Sequence, residues 1–512
     1  MRFTTKLKGK NFVEKVICRE KELETIKDRL NNNTTEFIVV YGRRRVGKTW
    51  LVRNSIPMLL DKKAYVYLEI TGTINDDFRS APTKESFYNS LNLSWNISFG
   101  ETLFDPYSDQ KNINIENIFF LKLSEKLHSL RKKNVKLIIF FDELPWIAKT
   151  SRTFYDGILF FRNNAIRDNP NIKIFVSGSS TSWMLDNIIN AKGSAALRAT
   201  ELIKLSPFML ADTKRYLAEK CKMTCDNEIV FDIYLCIGGI PYYLDFISPK
   251  KSWVENIYEL TSTETGLLNR DTEHDKIFSI LFENPQFHKK IVDYIATSRY
   301  GKNSWEVSKK IISQDKPNGK LSKALRELVN CDILEKRGQL FNKSKFSKYF
   351  IKDSFLNFYY KWLKDKKQIN LSALSDTINS PAYSSWRGIM YEFILYSHHI
   401  KIMKKLGYDR LSYETYLYHS EKGNNRRQID LIFLLPRLKM LIICEAKYRD
   451  NYELSKLDVE KATEKKLDVK SYIKRHKKSF EIKICYITKN SLQKNAAYQN
   501  ILPLEVMLDD LF

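Results

Sequence analysis

Two sets of residues have the types and spacing to do phosphate chemistry. The first is Gly42-Arg43-Arg44-Arg45-Val46-Gly47-Lys48-Thr49, which follows an apolar run and precedes a helical pattern. Glycines at Gly42 and Gly47 let backbone N–H groups wrap phosphate oxygens. The Lys48 ammonium reaches the β- and γ-phosphates, and the Thr49 hydroxyl suits magnesium. A second motif supports this one: Leu137-Ile138-Ile139-Phe140-Phe141 delivers Asp142 and Glu143 to the end of an apolar strand. Asp142 would hold magnesium through water, and Glu143 would polarise the attacking water. The expected ligand is therefore ATP with Mg2+, and the expected chemistry is hydrolysis.

Two further positions belong to this expectation. Ser177-Gly178-Ser179-Ser180 ends the next strand and brings hydroxyls, Ser179 in particular, to where a γ-phosphate would be sensed. Arg198 could supply positive charge to a phosphate across a domain or subunit boundary, with an exposed structural arginine as the alternative. Arg43, Arg44 and Arg45 add local positive charge and carry no assigned role.

The other set lies near the C-terminus. Asp430 and Glu445 interrupt apolar runs, where a charge is costly unless it is bound. Glu445 and Lys447 alternate along one strand and so share a face. Two adjacent antiparallel strands can bring Asp430, Glu445 and Lys447 together, and Glu392 on the preceding helix could complete the set. Carboxylate oxygens suit Mg2+ or Mn2+, and a lysine beside them can orient or activate water for attack on a phosphodiester. The structural alternative is a buried Lys447 paired with Asp430 or Glu445. Gln428 shares the face of Asp430 as a further polar contact. Arg426 and Arg427 could hold phosphate or sit in an exposed loop. Lys461, Lys465 and Lys466 read as a solvated helix face.

The elements that must position these residues follow from the apolar pattern. From about 36 to 205, the runs Phe37–Tyr41, Ala64–Leu68, Leu137–Phe141 and Ile172–Val176 alternate with amphipathic stretches. This is the pattern of a parallel sheet covered by helices. Residues 211–270 read as helices broken by Gly238-Gly239-Ile240-Pro241. Residues 275–350 read as short helices, the last from Lys320 to Asn330 with Leu321, Ala324, Leu325 and Leu328 on one face. Ile333–Leu340 then reads as a small hairpin turning at Arg337-Gly338-Gln339, giving the outline of a winged helix. The last domain reads helix (Trp386–His399), strands (Ser412–His419, Gln428–Leu435, Met440–Tyr448), helix (about 453–475) and strand (Glu481–Thr488).

Cys18-Arg19-Glu20, the glycine-rich loop, Asp142-Glu143, Ser177–Ser180 and Gly238-Gly239-Ile240-Pro241-Tyr242-Tyr243 together resemble the archaeal-type ATPases, a branch of the AAA+ and STAND-like P-loop proteins. Cys18 departs from the pattern, since such proteins usually carry glycine before Arg-Glu. The resemblance implies an ATPase core, a helical lid and then a winged helix. The order Asp430…Glu445-Ala446-Lys447, with its helix and strands, resembles the PD-(D/E)XK nuclease superfamily, the restriction-endonuclease-like fold. The fold expected is thus α/β: a P-loop NTPase parallel sheet over 1–210, a helical lid over 211–270, a winged helix over 271–360 and a nuclease-like α/β domain over 361–512.

Composition bounds the rest. At 512 residues, several domains are expected. Seven scattered cysteines without a CxxC pair argue against disulfides and zinc. No run is long and apolar enough for a membrane helix, and no secretory leader is evident, so a cytoplasmic protein is expected. A formal charge of +25, with the larger excess after residue 270, suits a polyanion, with DNA favoured, although a Lys- and Asn-rich composition can also reflect base composition. Nucleotide-dependent self-association is open. No second arginine accompanies Arg198, so a switch is favoured over a ring motor. The alternative function is a regulatory switch or remodeller whose C-terminal domain binds DNA or protein without cutting.

Overall fold

The computed structural model describes residues 15–60, 65–73, 82–105, 114–165, 169–190, 199–269, 273–342, 346–364, 370–419 and 428–512. The chain forms two compact units. One is Met1–Pro207 with Asp275–Pro285, and the other is Phe208–His274 with Gln286–Phe512.

The first unit is built on five parallel strands: β1 (Glu36–Gly42), β2 (Tyr65–Thr71), β3 (Lys136–Asp142), β4 (Ile172–Gly178) and β5 (Glu201–Leu205), in the order β2-β3-β4-β1-β5. Both faces are covered. Phe37 and Val39 enter one core with Leu137, Ile139 and Phe141, while Ile38 and Val40 enter the other with Ile138 and Phe140. This two-sided burial is why these strands read as unbroken apolar runs. Lys173 within β4 is fully buried, and its ammonium donates to the Asn32 and Thr34 carbonyls at 2.7 Å. Strand β5 escaped the sequence reading because it is short and exposes alternate residues. Strand β4 lies between the strand that feeds the glycine-rich loop and the strand that ends in Asp142, so its end faces both.

In the second unit, the Asn227–Ile237 helix ends at Gly238, which adopts φ 71°. A Cβ on Gly239 would come within 2.1 Å of the Phe208 carbonyl oxygen, and the Phe208 N–H donates to the Gly239 carbonyl at 2.7 Å. Only glycine allows that approach. Helices Pro285–Ala296, Ser304–Ile311 and Gly319–Asn330 accompany a small antiparallel sheet of β6 (Lys302–Asn303), β7 (Leu334–Arg337) and β8 (Lys348–Ile351), in the order β6-β8-β7. Leu321, Ala324, Leu325 and Leu328 are buried on one face of the Gly319–Asn330 helix.

The expected tight turn at Arg337-Gly338-Gln339 does not form. The partner of β7 is β8, which begins after ten intervening residues, and Arg337 is a buried strand end. Its guanidinium lies against Phe350, Phe393 and Tyr396 and donates to the Phe393 carbonyl at 2.8 Å. The aromatic cage keeps the chain extended past Gly338.

A second sheet follows: β9 (Glu414–His419), β10 (Gln428–Leu435), β11 (Met440–Lys447), β12 (Glu481–Thr488) and β13 (Leu504–Met507), in the order β13-β12-β11-β10-β9. Strands β9 to β11 pair antiparallel, and β11 to β13 pair parallel. The Pro381–Ser397 and Lys456–Arg475 helices pack with this sheet, and Ile432, Leu434, Leu441 and Ile443 meet Val469, Tyr472 and Ile473 in one core. The segment just after β7 bridges to the edge strand β9 at Leu417. The Leu340 N–H donates to the Leu417 carbonyl at 2.9 Å, and the Leu417 N–H donates to the Gly338 carbonyl at 2.8 Å. Leu340 is buried, and the Tyr472 hydroxyl donates to its carbonyl. One point on an edge that could template foreign strands is thereby occupied.

Candidate nucleotide site and C-terminal carboxylate cluster

The loop after β1 reverses sharply. Gly42 has φ 144°, and a Cβ there would meet the Leu205 carbonyl oxygen at 2.1 Å. Gly47 has φ 92°. The Lys48–Leu60 helix begins directly afterwards, so its free N–H groups point into the loop. The Lys48 ammonium is buried and donates to the carbonyls of Gly42 at 3.1 Å and Arg43 at 3.0 Å, arching over the loop it would share with a phosphate. Arg19 was named only within the Cys18-Arg19-Glu20 motif, without a role; its guanidinium donates to the Val46 carbonyl at 3.2 Å and the Ser206 carbonyl at 2.8 Å, bracing the loop from outside. Cys18 before it takes φ 60°, the left-handed backbone that glycine favours, so the turn survives the departure from glycine.

Thr49 and Asp142 meet across β4. The threonine hydroxyl donates to the carboxylate at 2.8 and 3.0 Å. The Ser177 hydroxyl donates to the same carboxylate from the end of β4. Burial raises the pKa of Asp142, opposed by its hydrogen bond from Ser177. Sequence reasoning missed Ser177 as a partner. The signal was register: Phe141 lies beside Val176, so Asp142 lies beside Ser177. Glu143 adopts φ 52°, which swings its side chain off the strand line. Its carboxylate accepts from the Ser179 N–H at 3.0 Å and the Ser179 hydroxyl at 2.9 Å. Ser179 therefore meets Glu143 directly. Arg198 lies outside the described residues. The adjoining Thr49 hydroxyl and Asp142 carboxylate form a hard-oxygen pair that fits magnesium, and the positive-φ glycines with Lys48 fit a polyphosphate.

In the second sheet the last ladder pair is Leu431↔Cys444, and Asp430 and Glu445 each follow it by one residue at the same end, with Lys447 two residues beyond Glu445 on its strand. Glu392, on the Pro381–Ser397 helix, is close enough to feel all of them. Burial drives its carboxyl far above the usual range, Asp430 and Glu445 push the same way, and Lys447 and Lys465 oppose them. Asp430 accepts from the Gln428 amide, and Glu445 accepts from the Lys465 ammonium. Among the described residues, no group of three or more His, Cys, Asp or Glu is arranged to hold a metal ion. Internal donors hold two of the three expected ligands, Asp430 and Glu445. Arg426 and Arg427 lie outside the described residues.

Lys465 was assigned to a solvated face, and the structure corrects this. It lies three residues after Ala462 and four before Val469, both buried, and so sits in the inward stripe of the Lys456–Arg475 helix. Lys466 has the mirror-image spacing and is exposed, so spacing alone did not distinguish the two lysines.

A strand, a glycine-rich loop, a helix and two strand-end acids on a five-stranded parallel sheet define a P-loop nucleotide site. Residues 17–247 match the family described as an ATPase domain predominantly from Archaea. The chain is 26% identical over 445 residues to the uncharacterized protein MJECL04 of Methanocaldococcus jannaschii, covering 85% of this chain and 88% of that one. A 51-residue stretch, 10% of this chain, is 39% identical to the uncharacterized ATP-binding protein MJ0423 of the same organism and covers 86% of it. Among solved structures, the Walker-type ATPase PABY2304 of Pyrococcus abyssi matches with a TM-score of 0.47 at 16% identity, over 67% of this chain and 96% of that one. No described helix is long and apolar enough to cross a membrane.

Proposed function

We propose that the protein hydrolyses ATP at the Gly42–Thr49 loop and uses the nucleotide state to control binding of a nucleic acid, DNA by preference. The observation that carries the hydrolysis is the Thr49–Asp142 pair, flanked by Glu143 on its Ser179 tether. Magnesium, when bound, would supply charge neutralisation at the phosphates, with Thr49 and Asp142 as the residues to hold it. The backbone of the loop and Lys48 bind and orient the phosphates. Glu143 accepts a proton from the attacking water once its carboxylate leaves Ser179.

Nucleic-acid binding is supported by the order of the three helices and β6 to β8, which is that of a winged helix. The Gly319–Asn330 helix turns Lys320, Ser322, Lys323 and Arg326 outward, as a groove-reading helix would. For the last domain, the order of helix and strands and the juxtaposition of Asp430, Glu445, Lys447 and Glu392 support a restriction-endonuclease-like fold. Phosphodiester cleavage there is a second proposed activity. The alternative, binding without cutting, gains from the internal partners already held by Asp430 and Glu445.

Lys48→Ala tests the first activity: turnover should fall about a hundredfold or more with folding intact, and unchanged hydrolysis would refute the assignment. An assay of DNA and RNA cleavage with Mg2+ or Mn2+, with and without ATP, tests the second. No cutting under any of these conditions leaves the regulatory switch.

A further inference from the structure

The C-terminal cluster holds a feature that a ready-made metal site would lack. Glu445, on β11, is mostly buried, and the group that satisfies it is a cation from the facing helix, the Lys465 ammonium. Asp430, one residue beyond the last ladder pair Leu431↔Cys444, is satisfied by the Gln428 amide two residues earlier on its own strand. Lys465 is no flexible surface chain that drifted inward. Ala462, Val469, Tyr472 and Ile473 pack the same helix against the sheet and fix the inward direction of the lysine's stem. Its charge, after that of Lys447, also reaches Glu392.

A carboxylate oxygen that accepts from an ammonium cannot at the same time take a divalent cation at that lone pair, and two cations sharing a cluster repel each other. We propose that Lys465 is the resident counter-ion of this cluster and gates it. A divalent cation gains Glu445 only as the Lys465 ammonium leaves, so the site binds metal weakly until something draws the lysine away. The anionic backbone of a nucleic acid has the chemistry to do so, since a phosphate offers the ammonium a replacement for Glu445. The gate rests on reading the cluster as a site for phosphodiester chemistry.

The experiment is Mn2+ titration of the full-length, nucleotide-free protein, followed by calorimetry, for the wild type, Lys465→Met, Lys465→Arg and each combined with Asp430→Asn. Methionine keeps the stem's apolar packing and removes the charge. Circular dichroism and the unfolding midpoint check that each variant is folded, and Lys465→Arg, which restores the cation, serves as the second variant. The expected result is at least tenfold tighter Mn2+ binding by Lys465→Met, lost again when Asp430→Asn is added, with Lys465→Arg as weak as the wild type. Equal affinity in the wild type and Lys465→Met, both abolished by Asp430→Asn, would overturn the gate while leaving the metal site standing. Mn2+ binding that is insensitive to Asp430→Asn in every variant would overturn both.

Discussion

Two acid sites in one chain are satisfied in opposite ways. At the nucleotide site, Asp142 receives neutral hydroxyls from Thr49 and Ser177, and Glu143 receives Ser179. In the C-terminal sheet, Glu445 receives an ammonium. A hydroxyl that donates to a carboxylate can turn its lone pairs to a cation, whereas an ammonium has none to offer. A metal would therefore enter the first site by rotation of a bond, whereas under the proposed gate the second would first have to expel a charge. The comparison breaks most visibly at Glu143. Glu143→Gln keeps the shape and the tether to Ser179 but removes the base. Hydrolysis should fall by roughly 10²- to 10⁴-fold while ATP binding persists. Radiolabelled ATP retention alongside steady-state turnover measures both, and full activity in this variant would make Glu143 a structural cap.

The two units should also part company in acid. The second unit buries His398, whose Nε2 accepts from the Leu210 N–H at 3.3 Å while Nδ1 faces the Ile394 carbonyl at 2.9 Å, so the ring is neutral. Burial pushes its pKa down to about 4, and that of His419 likewise to about 4. A folded pKa below the unfolded one means that the neutral ring's contribution is fully present above the unfolded value, near 6.5. It is lost as the pH falls toward 4. Each histidine should cost at most about 3 kcal/mol over that interval. Hydrogen exchange at pH 7.5 and pH 4.5 should show the second unit losing protection, and His398→Asn should remove its share of the pH dependence. An acid response equal to the wild type's in that variant would place the loss elsewhere.

Much of the first unit could be read from sequence because a parallel sheet buried on both faces writes itself as apolar runs, and because the loop and the acids each directly follow such a run. What escaped were partners fixed only by strand order. Nothing in Ser177-Gly178-Ser179-Ser180 says that β4 lies between β1 and β3, so Ser179 was aimed at a phosphate and Ser177 was overlooked. In the second unit, the face shared by Asp430, Glu445 and Lys447 was legible from alternation. Lys465 was not, because a lysine-rich helix hides which lysine points inward. The extended step at Gly338-Gln339 was misread as a turn because its reason, the Arg337 cage and the edge of β9, lies far away in sequence.

The Ser177 finding yields a smaller test of the same comparison. Ser177→Ala deletes one neutral donor to a buried carboxylate, an interaction worth about 1.5 to 3 kcal/mol when charge-assisted. Turnover at limiting Mg2+ should drop roughly tenfold, with a higher Mg2+ requirement. A Mg2+ titration of ATP hydrolysis reads both, and an unchanged titration would mean that Thr49 alone orients Asp142.

The smallest effect concerns the turn that braces the loop. Cys18 sits at φ 60°, a conformation costing a non-glycine residue about 1 to 2 kcal/mol, yet its thiol is buried. Substitution therefore sets relief of strain against loss of packing. Cys18→Ala loses the sulfur and keeps the strain, so it should destabilise by about 1 kcal/mol. Cys18→Gly loses the sulfur, sheds the strain and regains unfolded-chain entropy, which leaves it within about 1 kcal/mol of the wild type. Glycine should thus be better tolerated than alanine, the reverse of the order in a helix or strand. Chemical denaturation of the two variants ranks them. If alanine proves the more stable, the left-handed turn is not what holds Arg19 against Val46 and Ser206.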